Sequence, residues 1–243
     1  WKPIIELAKS PKKLGWIAVA ALFIFINWET YVIAVVTGNT IESSLGYFIN
    51  PLITIVFAVV LLKEKLRPMQ WVALGIGLVA VVVLTVDYGR PPWIALILAL
   101  SFATYSLAKN KVGKSIPALQ SFTLESAIVM PLAIIQLAFV ASVGPIMIFS
   151  GGYEAGVLIS FGILTAIPLI LFGAAASRIP LSSIGFIQYL TPTLQFLIAY
   201  FILQEPMPPA RWIGFGLVWI SLAVLTFDAL RSRRPSLPIT EVA

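Results

Sequence analysis

The chemistry available to this chain is limited to a few carboxylates, amides and hydroxyls set within long apolar segments. The 243 residues include no cysteine and no histidine, which excludes disulfides, thiolate or imidazole catalysis and zinc sites of the usual kind. The sequence contains no zinc-protease, hydrolase or phosphate-loop motif. We therefore expect no catalytic residue, no metal and no cofactor, and we attribute the embedded polar residues to handling a solute.

Three carboxylates lie within or at the edge of apolar segments. A charge at the depth of Glu125 costs roughly 2.5–3.5 kcal/mol on insertion scales. It must therefore face a cavity, pair with another group or be protonated, and we favour a pathway role over a buried hydrogen bond. Glu29 is also deep, and we consider it for ion coupling. Glu42 is a second coupling candidate, although "NTIE" (39–42) also fits a capping box that starts a helix.

Polar residues recur at helical spacing in two separate segments. One face of the segment 39–62 carries Ser43, Tyr47, Asn50 and Thr54. One face of the segment 180–203 carries Gln188, Thr191 and Gln195. Spacings of three and four residues place each set on a single helix face. These two stripes fit either a water-accessible pathway or ordinary hydrogen bonding between packed helices.

The pathway interpretation defines a set of candidate residues. We assign ten residues to a substrate pathway: Asn27, Tyr31, Tyr47, Asn50, Thr54, Glu125, Gln188, Tyr189, Thr191 and Gln195. Pro51 and Pro192 follow the centres of the stripes, and each removes a backbone donor. They are either hinges or passive kinks. Glu64 and Glu205 lie at segment ends, where we expect them to be structural.

The elements that position these residues are membrane spans. The chain is 60% hydrophobic, with a mean hydropathy of +1.00 and 11% charged residues, whereas soluble domains are about 25% charged. Apolar runs of about 20 residues, enough to cross a bilayer, recur along it. We predict an all-α polytopic membrane protein with eight spans: 14–37, 39–62, 69–87, 92–109, 116–140, 155–176, 180–203 and 210–230.

The basic residues predict the orientation of these spans. Of the sixteen Lys and Arg residues, all but Arg90 and Arg211 can be assigned to one side, counting Lys109 among the loop residues. Because basic residues in short loops stay cytoplasmic, we expect the N-terminal segment and the C-terminus both to be cytoplasmic. This distribution also accounts for the net charge of +6 without a nucleic-acid partner.

The chain contains an internal duplication. Aligning Pro51 with Pro192 gives a constant offset of 141 residues, and seven non-aliphatic identities follow in 37 positions, from Pro51/Pro192 to Asp87/Asp228. The copies lie in the second and seventh spans and so have opposite senses across the bilayer. Inverted repeats are typical of secondary transporters, with the substrate site at the repeat interface.

The duplication predicts an inverted five-plus-five repeat. We assign residues 1–87 to a partial first repeat of three spans and residues 88–243 to a second repeat of five spans with a basic tail. By this count, two further spans belong ahead of Trp1. We expect residues 1–243 alone not to transport, since one wall of the site would be missing.

The motif "NWETYVIAVVTGNTIESSLGYFINPL" and the block "LTAIPLILFGAAASRIPLSSIGFIQYLTPTLQF" resemble the RarD family of EamA-type permeases. The resemblance covers essentially the whole chain. It implies a ten-span inner-membrane permease of the drug/metabolite transporter superfamily, linked to chloramphenicol sensitivity or resistance. Three residues depart from the family pattern: Asn39 stands where a histidine is usual, Val36 where an asparagine is usual, and Glu29 where the position is apolar.

The resemblance also implies a set of family residues in this chain. They are Asn27, Trp28, Tyr31, Glu42, Ser44, Gly46, Tyr47, Asn50, Pro51, Glu125, Thr165, Pro168, Arg178, Gln188, Tyr189, Pro192 and Thr193. We expect an exporter of small drugs or metabolites that works by alternating access. Its partners would be a small-molecule substrate and membrane lipid, with homo-oligomerisation left open. The alternative is a lipid-handling or scaffold protein without solute transport.

The predicted topology can be tested directly because the chain has no native cysteine. Cysteines placed singly at Ser150 and Ser232 should react differently with an impermeant thiol reagent. We expect Ser150→Cys to react from outside intact cells and Ser232→Cys to react after the cytoplasm is opened. Outside labelling of Ser232→Cys but not of Ser150→Cys would reverse the orientation.

Overall fold

The protein is a bundle of α-helices. The computed structural model describes residues 10–88, 92–113, 116–144, 151–197, 201 and 209–232, and no strand occurs within them. Nine α-helices lie in these ranges: α1 (Pro11–Val36), α2 (Thr40–Leu61), α3 (Pro68–Tyr88), α4 (Trp93–Gly113), α5 (Ala118–Val143), α6 (Gly152–Ala176), α7 (Leu181–Gln188), α8 (Leu190–Leu197) and α9 (Pro209–Ser232).

Five helices are long and apolar enough to cross a membrane: α1, α3, α4, α5 and α6. Two others contain shorter apolar stretches, Leu45–Leu61 in α2 and Trp212–Asp228 in α9. Many large apolar side chains on these helices are exposed, most densely along α5 and α6. Helices with apolar surfaces of this kind are stable in lipid, where the backbone bonds are satisfied within each helix. The all-helical membrane fold predicted from composition is therefore confirmed.

The turn between α1 and α2 follows from a glycine. Gly38 has φ of +73°, in the left-handed region that favours glycine. Its N–H donates to Val35 O at 3.2 Å, and the N–H of Asn39 donates to Ala34 O at 2.7 Å. These two bonds form a Schellman motif, which satisfies the last carbonyls of α1 and reverses the chain. Only three residues therefore separate the end of α1 from the start of α2.

Helix α4 is the centre of the bundle and packs against both α1 and α2. Its buried face is built from small residues, among them Ala95, Ala99, Ala103 and Ala108. A side chain at Gly46 of α2 would meet the Ala95 carbonyl oxygen at 3.0 Å. In membranes, small residues of this kind let helix backbones approach closely. This close packing brings polar residues of α2 and α4 within hydrogen-bonding range.

The two repeat-related prolines have different effects on their helices. Helix α2 continues through Pro51, whose side chain is fully buried. The predicted seventh span is instead divided into α7 and α8, which are separated at Tyr189. Pro192 follows this break by three residues and cannot donate to the carbonyl of Gln188. Pro192 therefore removes one hydrogen bond at Gln188, the last residue of α7, while Tyr189 between α7 and α8 keeps helical backbone angles (φ −63°, ψ −14°).

One basic residue lies elsewhere than predicted. Lys109, which the charge count assigned to a loop, lies inside α4 and is buried. Helix α4 extends to Gly113, four residues beyond the predicted span end at 109. Lys109 is held there by a buried carboxylate, which periodicity alone could not reveal.

Candidate functional site

A cluster of uncharged polar side chains joins α2, α4 and α7 in the interior. The hydroxyl oxygen of Thr54 lies 3.1 Å from Asn50 Oδ1 and 3.2 Å from Gln188 Oε1. Gln188 Nε2 in turn donates to Ser106 Oγ over 3.3 Å. Asn50, Thr54 and Ser106 are buried, and Gln188 is half-buried. The structure thus brings the two predicted stripes together at Thr54 and Gln188.

The hydroxyl of Thr54 cannot donate to both of its neighbouring amide oxygens at once. Thr54 has one hydroxyl proton but faces two acceptor oxygens, from Asn50 and Gln188. One proton fills one acceptor at a time, and turning the Gln188 amide would instead let its Nε2 donate to Thr54 and its Oε1 accept from Ser106. The hydroxyl of Ser106 donates to Phe102 O at 2.8 Å within its own helix. The amide oxygens of Asn50 and Gln188 have two lone pairs each and could accept a further hydrogen bond from a solute.

A groove of about 230 Å³ lies beside Gln188, between α6, α7 and α8. Gln188 and Thr191 are its polar lining residues, and the others are apolar: Phe172, Ala175, Ile179, Ile184, Ile187, Leu190 and Leu194. Thr191 is exposed there and is not among the hydrogen-bonded residues of the cluster. The groove is adjacent to the break at Tyr189, so movement of α8 would change its shape.

Two other predicted pathway residues join α1 to the same region. Asn27 Nδ2 lies 3.0 Å from both Leu98 O and Ser101 Oγ of α4. One turn further along α1, the Tyr31 ring packs edge-on against Tyr47 of α2, with centroids 6.2 Å apart. These contacts fasten α1 to the central helices and extend the polar line toward the ends of α1 and α2 where they meet.

Tyr189 lies in a different environment from the other predicted pathway residues. It is fully buried in an apolar cluster with Phe48, Leu52 and Phe186, between α2, α3, α7 and α9. Its hydroxyl has no hydrogen-bond partner among the described residues. A side chain at Gly77 of α3 would collide with that hydroxyl, so glycine makes the room it occupies. The side chains of Gln195 and Pro192 lie outside the described residues.

The two coupling candidates each contact a neighbouring helix. Glu29 Oε2 accepts a hydrogen bond from Gln136 Nε2 of α5 at 2.9 Å. Glu42 is buried, and its Oε1 accepts from the backbone N–H of Ile94 at 2.7 Å. That N–H lies in the first turn of α4, where backbone N–H groups have no acceptor within their own helix. The N-cap half of the predicted capping box is wrong, because the Asn39 side chain accepts no N–H of its own helix and instead donates to the Thr37 hydroxyl at 2.9 Å.

Glu125 forms a buried ion pair. Lys109 Nζ lies 2.7 Å from Glu125 Oε1, with side-chain exposures of 3% and 4%. Ser121 Oγ donates to the same carboxylate oxygen at 2.6 Å and accepts from Lys109 at 3.0 Å. A side chain at Gly173 of α6 would lie 3.0 Å from the ammonium. Both charges are thus compensated inside a three-helix contact of α4, α5 and α6.

Sequence reasoning missed Ser106 and Lys109. For Lys109 a signal was present, because Ser101, Tyr105 and Lys109 recur at intervals of four residues and so define a polar face of α4. Ser106 is not part of that series. Both residues matter, because Ser106 completes the uncharged cluster and Lys109 neutralises Glu125.

The ion pair leads to a testable prediction. Lys109→Met leaves a buried carboxylate without its counter-ion, and we expect it to lower the free energy of unfolding by about 3–5 kcal/mol. The double variant Lys109→Met/Glu125→Gln removes both charges and should lose much less. Denaturant unfolding in detergent measures both, with the exposed Lys111→Met as control. Equal losses in the single and double variants would contradict charge compensation as the purpose of the pair.

The chain is similar to proteins named as transporters. Residues 1–86 match the EamA-like transporter family. The whole chain is 46% identical to the protein RarD of Streptomyces exfoliatus and spans 77% of its length. It is also 26% identical, over 94% of the chain, to the chloramphenicol-sensitive protein RarD of Pseudomonas aeruginosa, of which it spans 76%.

A solved crystal structure shares the fold. It superposes with a TM-score of 0.67 at 20% sequence identity and covers 90% of this chain and 79% of its own. This likeness supports the helix arrangement and carries no functional information. The family resemblance predicted from the motifs is confirmed by the relatives. The chain therefore belongs to the RarD family of EamA-like transporters and is a multi-pass membrane protein.

Proposed function

We propose that the protein is an inner-membrane secondary transporter that exports small drugs or metabolites by alternating access. The observation that carries this proposal is the contact of Thr54 with Gln188, at 3.2 Å. It joins a helix of the predicted first repeat to a broken helix of the predicted second repeat. A substrate site at the interface of two repeats, formed by a discontinuous helix, is the arrangement expected of a secondary transporter.

The charges around the site favour an uncharged substrate. Asn50, Thr54, Ser106 and Gln188 carry no charge, and neither does any residue lining the adjacent groove. The nearby buried ions, Lys109 and Glu125, neutralise each other. A permanently charged solute would lose its hydration without gaining a counter-ion. A neutral solute with an apolar body and a hydrogen-bond donor fits the groove and the spare acceptor.

Chloramphenicol-like compounds belong to this chemical class. The Pseudomonas aeruginosa relative is named for sensitivity to chloramphenicol, and we carry that compound over as the first substrate to test. The apolar lining from Phe172 to Leu194 would contact the aromatic or aliphatic part of the solute. Gln188 and Thr191 would bind its hydroxyl or amide groups. The ionisable Glu29 and Glu42 remain coupling candidates in this scheme.

Alternating access needs an element that can move without disrupting its neighbours. The break at Tyr189 separates α7, whose start is buried, from α8, whose described side chains are mostly exposed. We propose that Pro192 acts as the hinge and that α8 moves relative to α7, which changes access to Gln188. Pro51 would keep a fixed position, because its ring is buried within continuous α2. Residues 1–87 and 88–243 would then move as two repeats, with both chain ends in the cytoplasm.

The proposal predicts that cluster residues affect transport more than stability. Thr54→Val and Gln188→Leu preserve approximate volume and remove hydrogen-bonding groups. Interhelical hydrogen bonds in membrane proteins average only about 0.6 kcal/mol, so both variants should accumulate normally. We expect flux of labelled chloramphenicol to fall at least about tenfold, because the solute loses its polar partners in a desolvated site. Everted vesicles from a strain that expresses the full-length protein measure the flux.

A matched control separates the site from general effects of the substitution. Thr123→Val makes the same change on the exposed surface of α5, where the hydroxyl bonds its own helix at Leu119 O. This variant should transport normally. Normal flux in Thr54→Val and Gln188→Leu would reduce the cluster to helix packing. Absence of flux for every compound in a drug and metabolite panel would favour the lipid-handling alternative.

A further inference from the structure

A single carboxylate connects the loop after α2 to the start of α7. Glu64 Oε1 accepts the backbone N–H of Leu181 at 2.9 Å. Its Oε2 accepts the backbone N–H of Ser182 at 3.1 Å and the Ser182 hydroxyl at 2.6 Å. These partners lie 117 and 118 residues further along the chain. Glu64 therefore bridges the predicted first and second repeats at one end of the bundle.

Helix α7 depends on this carboxylate for its N-terminal cap. Its own N-cap residue is Pro180, which makes no side-chain cap hydrogen bond. The first N–H groups of a helix have no partner within it and carry a partial positive charge. A carboxylate is the strongest common partner for such groups, since hydrogen bonds to an ionised acceptor are about twice as strong as neutral ones. Glu64, which lies in the loop after α2, therefore supplies the N-terminal cap that α7 lacks in its own sequence.

The loop that presents Glu64 has a specialised conformation. Lys63 has φ of +55°, the one positive value outside glycine among the described residues. A residue with a Cβ in this region carries a conformational cost. The backbone N–H of Glu64 also bonds Ala58 O at 3.0 Å, across the end of α2. The backbone conformation at Lys63 and Glu64 thus directs the carboxylate toward the start of α7.

The bridged helix carries the proposed substrate residue at its other end. Helix α7 is eight residues long, and Gln188 closes it two turns after Leu181. Beneath the carboxylate, Leu181 and Ile184 pack with Ala58, Leu107 and Ala176. This cluster closes the space between the carboxylate and the Thr54–Gln188 contact. Displacing the start of α7 would open that apolar cluster and move Gln188 from Thr54.

We propose that Glu64 is a latch that holds this end of the pathway closed, and that the transport cycle releases α7 from it. The inference rests on the proposed transport function, since a latch has meaning only where access alternates. Under the predicted topology, this end is cytoplasmic, because α2 ends and α7 begins there. Glu64 is a positioning residue that acts through α7 on Gln188 and does not itself bind the solute.

A second contact across the repeats provides a matched control. Arg67, three residues after Glu64, lies 2.7 Å from Asp228 Oδ2 of α9. The Arg67 side chain is 45% exposed and that of Asp228 is 11% exposed, so solvent screens this ion pair on the arginine side only. Helices α3 and α9 also pack against each other along their lengths. Removing Arg67 should therefore leave the relative position of these helices unchanged.

The test measures opening directly and needs no known substrate. Because the chain has no native cysteine, Ala58→Cys provides one reporter thiol in the cluster beneath the latch. Right-side-out and everted vesicles containing the full-length protein are treated with an impermeant methanethiosulfonate reagent. We expect Glu64→Gln to raise the labelling rate at least about tenfold, from the everted side, since opening no longer breaks bonds to a charged acceptor. Arg67→Gln should label like the parent.

Each outcome decides the proposal. An unchanged labelling rate in Glu64→Gln overturns the latch, as does an equal rise in Arg67→Gln, which indicates general loosening. If Glu64→Gln fails to accumulate, Ser182→Ala removes one of the three bonds and should raise labelling about threefold. Glu64→Asp should restore part of the closure if the charge is what holds α7. Loss of flux for every compound, with the expected labelling pattern, would reject the transport proposal, and the labelling would then show only that Glu64 holds this end of the bundle closed.

Discussion

Every polar group in this bundle has to find its partner within the protein, because the surrounding lipid supplies no hydrogen bonds. This constraint explains why its interior contacts come as complete pairs rather than as isolated side chains. Lys109 and Glu125 neutralise each other, and Ser121 binds both. Asn27 is satisfied by two oxygens of α4. The places where satisfaction is incomplete are therefore informative about function.

The same constraint separates charged from neutral chemistry. The buried carboxylates hold lysine or the N-terminal backbone groups of a neighbouring helix, as Glu42 does for α4 and Glu64 for α7. In these positions they fasten one helix to another. The uncharged amides and hydroxyls meet instead at Thr54 and Gln188, near the interruption between α7 and α8. Charge thus joins helices in these contacts, and we propose the uncharged polar groups as the ones that bind the solute.

Helix α7 links these two kinds of interaction. One end is held by the carboxylate of Glu64, and the other end terminates at Gln188, next to the interruption at Tyr189. A short helix bounded in this way can shift as a rigid unit without breaking its internal hydrogen bonds. The few hydrogen bonds of Glu64 at one end of α7 can therefore affect the position of the Gln188 side chain about two turns away. Long continuous helices such as α1 and α5 offer no comparable point of movement.

The sequence by itself determined that the protein lies in lipid, that its fold is all-helical, which family it belongs to and which residues share one face of α2. Lipid demands long apolar segments, and helical periodicity marks which residues share a face, so Asn50 and Thr54 could be grouped and paired with the Gln188 stripe. Periodicity says nothing about which neighbour a face meets. For that reason the contact of Ser106 with Gln188 was not predicted. Thr191 lies outside the hydrogen-bonded cluster, and Tyr189 lies in apolar surroundings. The partners of Lys109, Glu42 and Glu64 were decided by tertiary packing alone, because these contacts join residues that are 16, 52 and 117 positions apart in the chain.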